Sequence, residues 1–451
     1  MSVGLFDGLM VSHIKGTVGD APLTAVNYVD QVSNLIIQLF FAFGTGGAVI
    51  TSQFIGGGKI EEANKSAKQL IVLMGCFSLF ITVFCLALNK QIINLFFGAL
   101  DRTTLEYAYR YFSVTTLSYP FLALFYGAAA LLRAERKSLF TMLSAGMSFF
   151  INIGFNALFI YVCNLDVLGA GLGSLIARAS SCVFLLAVLS RKNNSVRVNL
   201  FEKYRFDASM MKKISKLAIP TGIENSFFQL GKILVLSFIS LNCYNIMVGD
   251  VAINYHSSAN SVAMSINTVG CVVGNGINTS ALTVIGQAVG TGIVPQVKYY
   301  IKKMMTISFI GNGISVLIVW TLSPFLINTY GVTPEASALA MKLLNICFAF
   351  QLVTYPLSFG LPSVLKANSD VRYVMAVSVT SMIIMRVGLC FVLTTDLLPF
   401  RLGAMGLWIG MISDWVLRAI CFLIRLISGK WKKSSGLLVE GDATETSGNA
   451  S

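Results

Sequence analysis

The sequence predicts an all-α integral membrane protein made of two six-helix lobes, related by a pseudo-twofold axis along the membrane normal. Three observations carry the prediction. Hydrophobic residues make up 55% of the 451 residues and charged ones 12%, with a mean hydropathy of +0.74. That is more apolar side chain than a soluble fold can hide under a polar skin. Apolar stretches follow one another along the chain, each long enough for a helix of about 20 residues to cross the hydrocarbon layer. The motifs that close these stretches recur in the second half at offsets of 230 to 236 residues, as expected of one unit written twice.

In chain order, the opening MSVGLFDGLMVSH is apolar apart from Asp7 but reaches only about two thirds of the way across a bilayer. It reads as the end of a first helix truncated on its N-terminal side. A secretory signal would need a basic start and a small-residue cleavage site. Full spans follow near 25–55, 66–88, 107–132, 138–162 and 168–190, then near 214–241, 256–289, 304–327, 338–365, 371–395 and 402–428. The echoes that pair them are QFIGGG (Gln53–Gly58) with QAVGTG (Gln287–Gly292), VGD at Val18 and Val248, and YP at Tyr119 and Tyr355. LRAERK at Leu132 returns as LKANSD at Leu365, and LGA at Leu168 returns at Leu402. The twelve-helix plan therefore divides into an N-terminal lobe (1–190), a cytoplasmic linker (191–213), a C-terminal lobe (214–430) and a polar cytoplasmic tail (431–451).

The net charge of +13 follows the same plan. With both termini inside, about 22 Lys and Arg residues fall in cytoplasmic loops, and Lys15, Lys90, Arg102 and Arg401 fall outside. The charge is thus a topology signal, and it argues against a nucleic-acid partner. The partners expected are the lipid bilayer and a small-molecule substrate, with the chain acting as a monomer in the cell membrane. The Gln/Gly pairs read as helix-ending corners, with glycine in a left-handed cap and Gln53 or Gln287 reaching the freed carbonyls. GTGGA at Gly44–Ala48 lies inside a span, without the Lys and Ser/Thr of a nucleotide loop, so it reads as close helix packing. With no P-loop in the chain, energy is expected from an ion gradient, with no cofactor and no enzymatic step. The nine cysteines are scattered and read as packing residues. His13 and His256 lack partners at ligand spacing, so no metal is expected.

Chemistry is expected where charge sits inside a span, because each such group costs about 2.5–3.5 kcal/mol to insert and usually faces a cavity or a partner. The acids that qualify are Asp7, Glu224 and Asp414, with Asp30 near a span end. Glu224 and Lys232 share a broad helix face, which suits either a substrate cavity or a mutual pair. Asp414 and Arg418 stand at i and i+4, with Arg386 in the preceding span, and read as a structural polar cluster. Arg178 faces inward or snorkels. Asn152 and Asn156, four apart, share one face.

The chain resembles the multidrug and toxic compound extrusion (MATE) family over residues 1 to about 433. The resemblance rests on FDGLMVSHIKG, SQFIGGG, LLRAERK, NIGFNALFI, IPTGIENSFFQLGK, GQAVGTG and GLWIGMISDWVLRAICFLIRLISGKW in order. It implies cation-coupled antiport, H+ or Na+, by alternating access, exporting amphipathic organic cations, drugs or metabolites. It also implies a coupling site of Asp7, Asn152, Asn156 and Ser174. Asn156 stands where the family has a second carboxylate, which removes a charge and leaves the coupling ion open between proton and sodium. Where many relatives carry an acid after the helix-7 proline, this chain has Gln229, counted from Pro220. Glu224, Gln229, Lys232 and Arg178 are the candidate substrate-cavity residues. A flippase for lipid-linked precursors, recognised by basic cavity residues, is the alternative, and a non-transporting receptor is a third reading.

Overall fold

The computed structural model describes Met10 and residues 21–97, 101–191, 194–198, 206–242, 246–248, 251–253, 255–394 and 402–434. Asp7 and His13 lie outside the described residues. The first half comprises α1 (Ala21–Gly56), α2 (Ile60–Ala87), α3 (Asn89–Phe97), α4 (Arg102–Leu117), α5 (Tyr119–Ala134), α6 (Ser138–Ala157, ending in a π turn Leu158–Val162) and α7 (Asp166–Leu189). Next come α8 (Ala208–Asn242), strands β1 (Ile246–Val248) and β2 (Val251–Ile253), α9 (Tyr255–Gly270), α10 (Val272–Gly290), α11 (Val294–Thr329) and α12 (Pro334–Tyr355, with a π turn Pro356–Gly360). The chain closes with α13 (Leu361–Ala367), α14 (Val371–Ser381, with a π turn Met382–Leu389), α15 (Cys390–Thr394), α16 (Ala404–Ile427) and α17 (Trp431–Ser434).

All eleven full spans read from the sequence are helices. Among the described residues, eight helices are long and apolar enough to cross a membrane, or ten if α4–α5 (bent by 45°) and α9–α10 (46°) each count as one span. The remaining one, α8, carries Lys212, Lys213, Lys216, Glu224 and Lys232 within its 35 residues. Helices outrun the predicted spans where polar first turns, such as IEEANK at Ile60 or VPQVKYYIKK at Val294, continue the helix beyond the apolar stretch. Among the described residues, the one departure from an all-α chain is the three-residue antiparallel pair β1–β2, with Ile246 opposite Ile253 and Val248 opposite Val251.

The chain forms two compact units, Met1–Asn225 and Ser226–Ser451. In unit 1, α1 is the central helix, and its glycines set how closely its neighbours approach. A Cβ on Gly44 would lie 3.1 Å from the Tyr126 carbonyl oxygen of α5, and one on Gly46 3.0 Å from the Ala218 nitrogen of α8. One on Gly47 would lie 2.3 Å from Leu70 of α2. Three helices thus lean on one GTGGA segment, as its composition predicts. In unit 2 the core divides between a cluster around Phe348, Trp408 and Trp415 and another around Leu365, Phe422 and Trp431.

The duplicated corners share backbone geometry. Gly58 and Gly292 have φ of +71° and +75°. After Phe54 the turn closes with Lys59 N–H donating to Phe54 O and Gly58 N–H to Ile55 O, the paired bonds of a left-handed helix cap. Nothing lies within 4 Å of a Cβ added at either glycine. Conformation, not close packing of the corner, selects glycine there. At the other corner pair, Arg136 and Ser369 both sit at φ +63°. On the cytoplasmic side of the sequence plan, Val196 N–H donates to Glu135, Arg197 N–H donates to Asn64 Oδ1 (2.5 Å), and Lys65 pairs with Asp207 at 2.8 Å. The Lys65 ammonium, with the Met210 N–H, holds the Asp207 carboxyl below its usual range. This contact is therefore complete above the ordinary carboxylate pKa and is lost as pH falls through the lowered value.

Gly46→Ala should destabilise the protein by about 1–3 kcal/mol, because the methyl meets backbone atoms that cannot rotate away. Gly146→Ala, in open space on α6, should be neutral or stabilising by up to about 1 kcal/mol. Thermal melting of the detergent-solubilised variants, followed by size exclusion, checks the contrast.

Candidate functional site

Unit 1 brings together three of the four residues assigned to ion coupling. Asn152 and Asn156 lie one turn apart on α6, Ser174 faces them from α7, and all three are buried. Asn152 Nδ2 donates to Ser174 Oγ at 3.0 Å, and Asn156 Nδ2 donates to Asn152 Oδ1 at 3.4 Å. The helices can approach this closely because α7 carries glycines on the contact. A Cβ at Gly173 would stand 2.0 Å from Asn156 Oδ1 and 2.9 Å from the Asn156 nitrogen. One at Gly169 would meet the Phe159 backbone at 2.9 Å, and one at Gly171 would meet Val114 at 3.1 Å. Two turns away, Ser144 and Ser181 each donate to the other's carbonyl at 3.3 Å. The fourth residue, Asp7, is not described. Met10, three residues on, has its carbonyl oxygen 2.9 Å from the Tyr161 hydroxyl, which donates to it from the same helix system as Asn152 and Asn156.

Arg178, one turn beyond Ser174, faces inward. Its Nη1 donates to Ser118 Oγ at 2.6 Å, at the break between α4 and α5. Ser118 in turn donates to the Thr115 carbonyl at 2.5 Å, and the adjacent Tyr119 hydroxyl lies 3.1 Å from Ser33 Oγ of α1. The bend in this span is thus held by side chains of α1 and α7. Its electrostatics differ from the Asn/Ser chain beside it, which is neutral and offers amide and hydroxyl oxygens suited to a hard cation or a protonated carboxyl.

Unit 2 combines two groups that the sequence treats separately. Lys232, expected in a cavity, and Arg386 and Arg418, expected as structural glue with Asp414, surround one aromatic ring. The Phe228 centroid lies 5.4 Å from Lys232 Nζ, 5.1 Å from the Arg386 guanidinium carbon and 5.3 Å from that of Arg418. Arg418 is also stacked 5.0 Å from Phe359 and 5.9 Å from Phe422. Asp414 is fully buried. Its Oδ1 accepts from Ser381 Oγ at 2.6 Å, while its Oδ2 stands 4.0 Å from Arg418 Nη1, a loose pair. The Asp414/Arg418 helix pair expected from the sequence is thus present, at the outer limit of an ion pair. Asp414 ties α14 to α16 through Ser381, and Arg418 is held mainly by rings.

Each cation–π contact contributes about 0.5–2 kcal/mol when desolvated, against about 2.5–3.5 kcal/mol for inserting each charge. With three cations and one carboxylate, Asp414, the cluster holds an excess of positive charge. Lys232 makes no ion pair among the described residues, so the mutual pair with Glu224 that its spacing allows does not form. Glu224 is buried and Gln229 half-buried on α8.

A second polar chain, which sequence reasoning missed, supports the α9–α10 bend at Cys271. Gln351 Nε2 donates to Cys271 Sγ (3.2 Å), and Tyr355 OH donates to Asn275 Oδ1 (2.8 Å). Cys347 Sγ donates to Asn267 Oδ1 (3.8 Å). The repeated YP at Tyr355 was the available signal. His256, given no role from the sequence, accepts from the Ala404 N–H at the start of α16 (3.4 Å).

Membrane-length helices with polar residues buried inside each unit define a multi-pass membrane protein. The MatE family model matches residues 1–158 and 232–392, and the chain belongs to that family. It is 23% identical over 451 residues to the probable multidrug resistance protein NorM of Thermotoga maritima, covering 98% of this chain and 91% of that protein. It is 27% identical over 198 residues to the multidrug export protein MepA of Staphylococcus haemolyticus, covering 44% and 43%. A crystal structure of MATE in the bent conformation superposes with a TM-score of 0.83 at 20% identity, covering 96% of this chain and 92% of that one.

Asn152→Ala should cost about 0.6–1.7 kcal/mol, the range measured for hydrogen bonds between membrane helices. Gly173→Ala should cost more, about 1–3 kcal/mol, because it forces α6 and α7 apart at a backbone contact. Melting temperatures of the two variants should fall in that order.

Proposed function

We propose that the chain is a secondary active antiporter of the cell membrane, with both termini cytoplasmic. It exports amphipathic drugs or metabolites by alternating access, in exchange for protons or sodium ions. The observation that carries this reading is the buried, uncharged chain Asn156–Asn152–Ser174 inside the lobe whose opening segment contains Asp7. A carboxylate in such surroundings is disfavoured when ionised and relieved by a proton or a cation. Ion occupancy at Asp7 then biases the packing of unit 1 by as much as the ion's affinity differs between two states, and a substrate that favours the other state is expelled in exchange. The names of the relatives, a multidrug resistance protein and a multidrug export protein, support a broad substrate range. Organic cations are the class the resemblance implies.

In proteoliposomes with an imposed H+ or Na+ gradient, efflux of rhodamine 123 (cationic) or fluorescein (anionic) should accelerate with one of the two ions. Asp7→Asn should abolish the acceleration, a loss of about tenfold or more, since it removes the titrating group. Equal gradient-driven rates in both proteins would refute the coupling scheme.

A further inference from the structure

We propose that Lys232, Arg386 and Arg418, gathered around Phe228, bind the anionic group of an amphipathic organic molecule, so that the exported substrate is an organic anion. The proposal rests on the transporter reading above and replaces the organic cations that the resemblance implies.

Charge is the first argument. Three cations stand within 5.1–5.4 Å of one ring, whose quadrupole attracts them without cancelling their charge. The carboxylate beside them, Asp414, has one oxygen occupied by Ser381 and the other 4.0 Å from Arg418. The cluster keeps two uncompensated positive charges.

Unused donors are the second. Arg386 Nε, and Arg418 Nε and Nη1, are buried without a hydrogen-bond partner, in residues only 3% exposed. A guanidinium is a planar fork that matches carboxylate, sulfonate or phosphate oxygens, and buried donors of this kind are held at a cost unless an acceptor arrives.

Access is the third. Lys232 is exposed where the arginines are buried, so an accessible ammonium stands at the edge of a buried guanidinium pair. The three residues lie eight to ten residues before the ends of their helices, or about 12–15 Å at 1.5 Å per residue. That depth places the positive potential inside the hydrocarbon, where low dielectric strengthens its pull on an anion and its repulsion of a cation.

The test uses the full chain in phosphatidylcholine nanodiscs and two xanthene dyes of similar size and opposite charge, read by fluorescence anisotropy. Fluorescein should bind, and Lys232→Gln should weaken it by about tenfold, whereas Lys232→Arg should retain it. Rhodamine 123 should bind more weakly than fluorescein and gain or hold affinity in Lys232→Gln. Arg386→Gln, accepted only where its size-exclusion profile matches wild type, should also lose fluorescein. Preference for rhodamine 123, or unchanged fluorescein affinity in Lys232→Gln, would overturn the proposal. Displacement of fluorescein by phosphatidylglycerol nanodiscs would support the site with a lipid headgroup as its anion, and retention would support a soluble one. If the binding pattern holds while neither dye shows gradient-driven efflux, the site stands and the antiport reading fails. Efflux restricted to rhodamine 123 would do the reverse.

Discussion

Close approach of helices at small residues is the constraint on which the rest of this protein depends. Inside a bilayer the apolar faces of helices gain nothing by leaving lipid, so association must come from dispersion contacts and from polar groups that find each other. Both require short distances. Gly46 lets α8 come within contact of α1, and Gly173 makes the space that the Asn156 side chain fills. Without the second glycine the Asn152–Ser174 hydrogen bond would not span the gap. Packing therefore precedes chemistry here: the glycines set the separation, and the separation decides which polar side chains meet.

The two units solve the same problem with different residues. At the offset of the internal repeat, Gly44 and Gly46 of unit 1 correspond to Asn278 and Ser280 of unit 2. There the close approach comes from the facing helix instead, with Gly360 placing its backbone near Asn278 and Ser308. Both units break a helix and brace the break with side chains, Arg178 and Ser118 in one, Gln351, Tyr355 and Cys271 in the other. The breaks do not fall at corresponding positions. The one in unit 1 interrupts the fourth helix of its repeat, whereas the one in unit 2 interrupts the second. Duplication preserved the corner geometry, down to matching φ at Arg136 and Ser369, and left the interior free to diverge.

What was legible in the sequence follows from this division. Hydropathy located eleven spans because burial in lipid is averaged over about 20 residues and tolerates local exceptions. It cut their ends short because it measures the apolar portion of a helix and not its hydrogen bonding. The glycine corners and the GTGGA contact were readable because glycine has few other reasons to occur there. Asn152, Asn156 and Ser174 were found through the resemblance, and the helical period correctly put the two amides on one face. The bends at Ser118 and Cys271 were not readable, since apolar periodicity runs through both. Nor was the cluster at Phe228, because spacing rules pair residues on one helix. Arg386 and Arg418, on consecutive spans, could be grouped from the sequence, but Lys232 and Phe228 lie on a helix far earlier in the chain, and Phe228 looks like any membrane phenylalanine until its neighbours are known.

The electrostatic contrast between the units bears on how an antiporter of this plan can work. Exchange requires that ion and substrate favour different states, and the simplest way for two ligands to avoid competing for the same groups is to be recognised by opposite charge. Unit 1 offers neutral oxygens in its Asn156–Asn152–Ser174 chain, a setting that rewards a small cation. Unit 2 holds cations in excess around an aromatic ring, a setting that rewards an anion. Were both ligands cationic, the unit 2 cluster would oppose substrate entry by like charge at a depth where water screens little. An anionic substrate would reverse that sign and leave the ion free to act through unit 1 alone. The two units would then hold different ligands in surroundings of opposite polarity, although they descend from one repeated sequence.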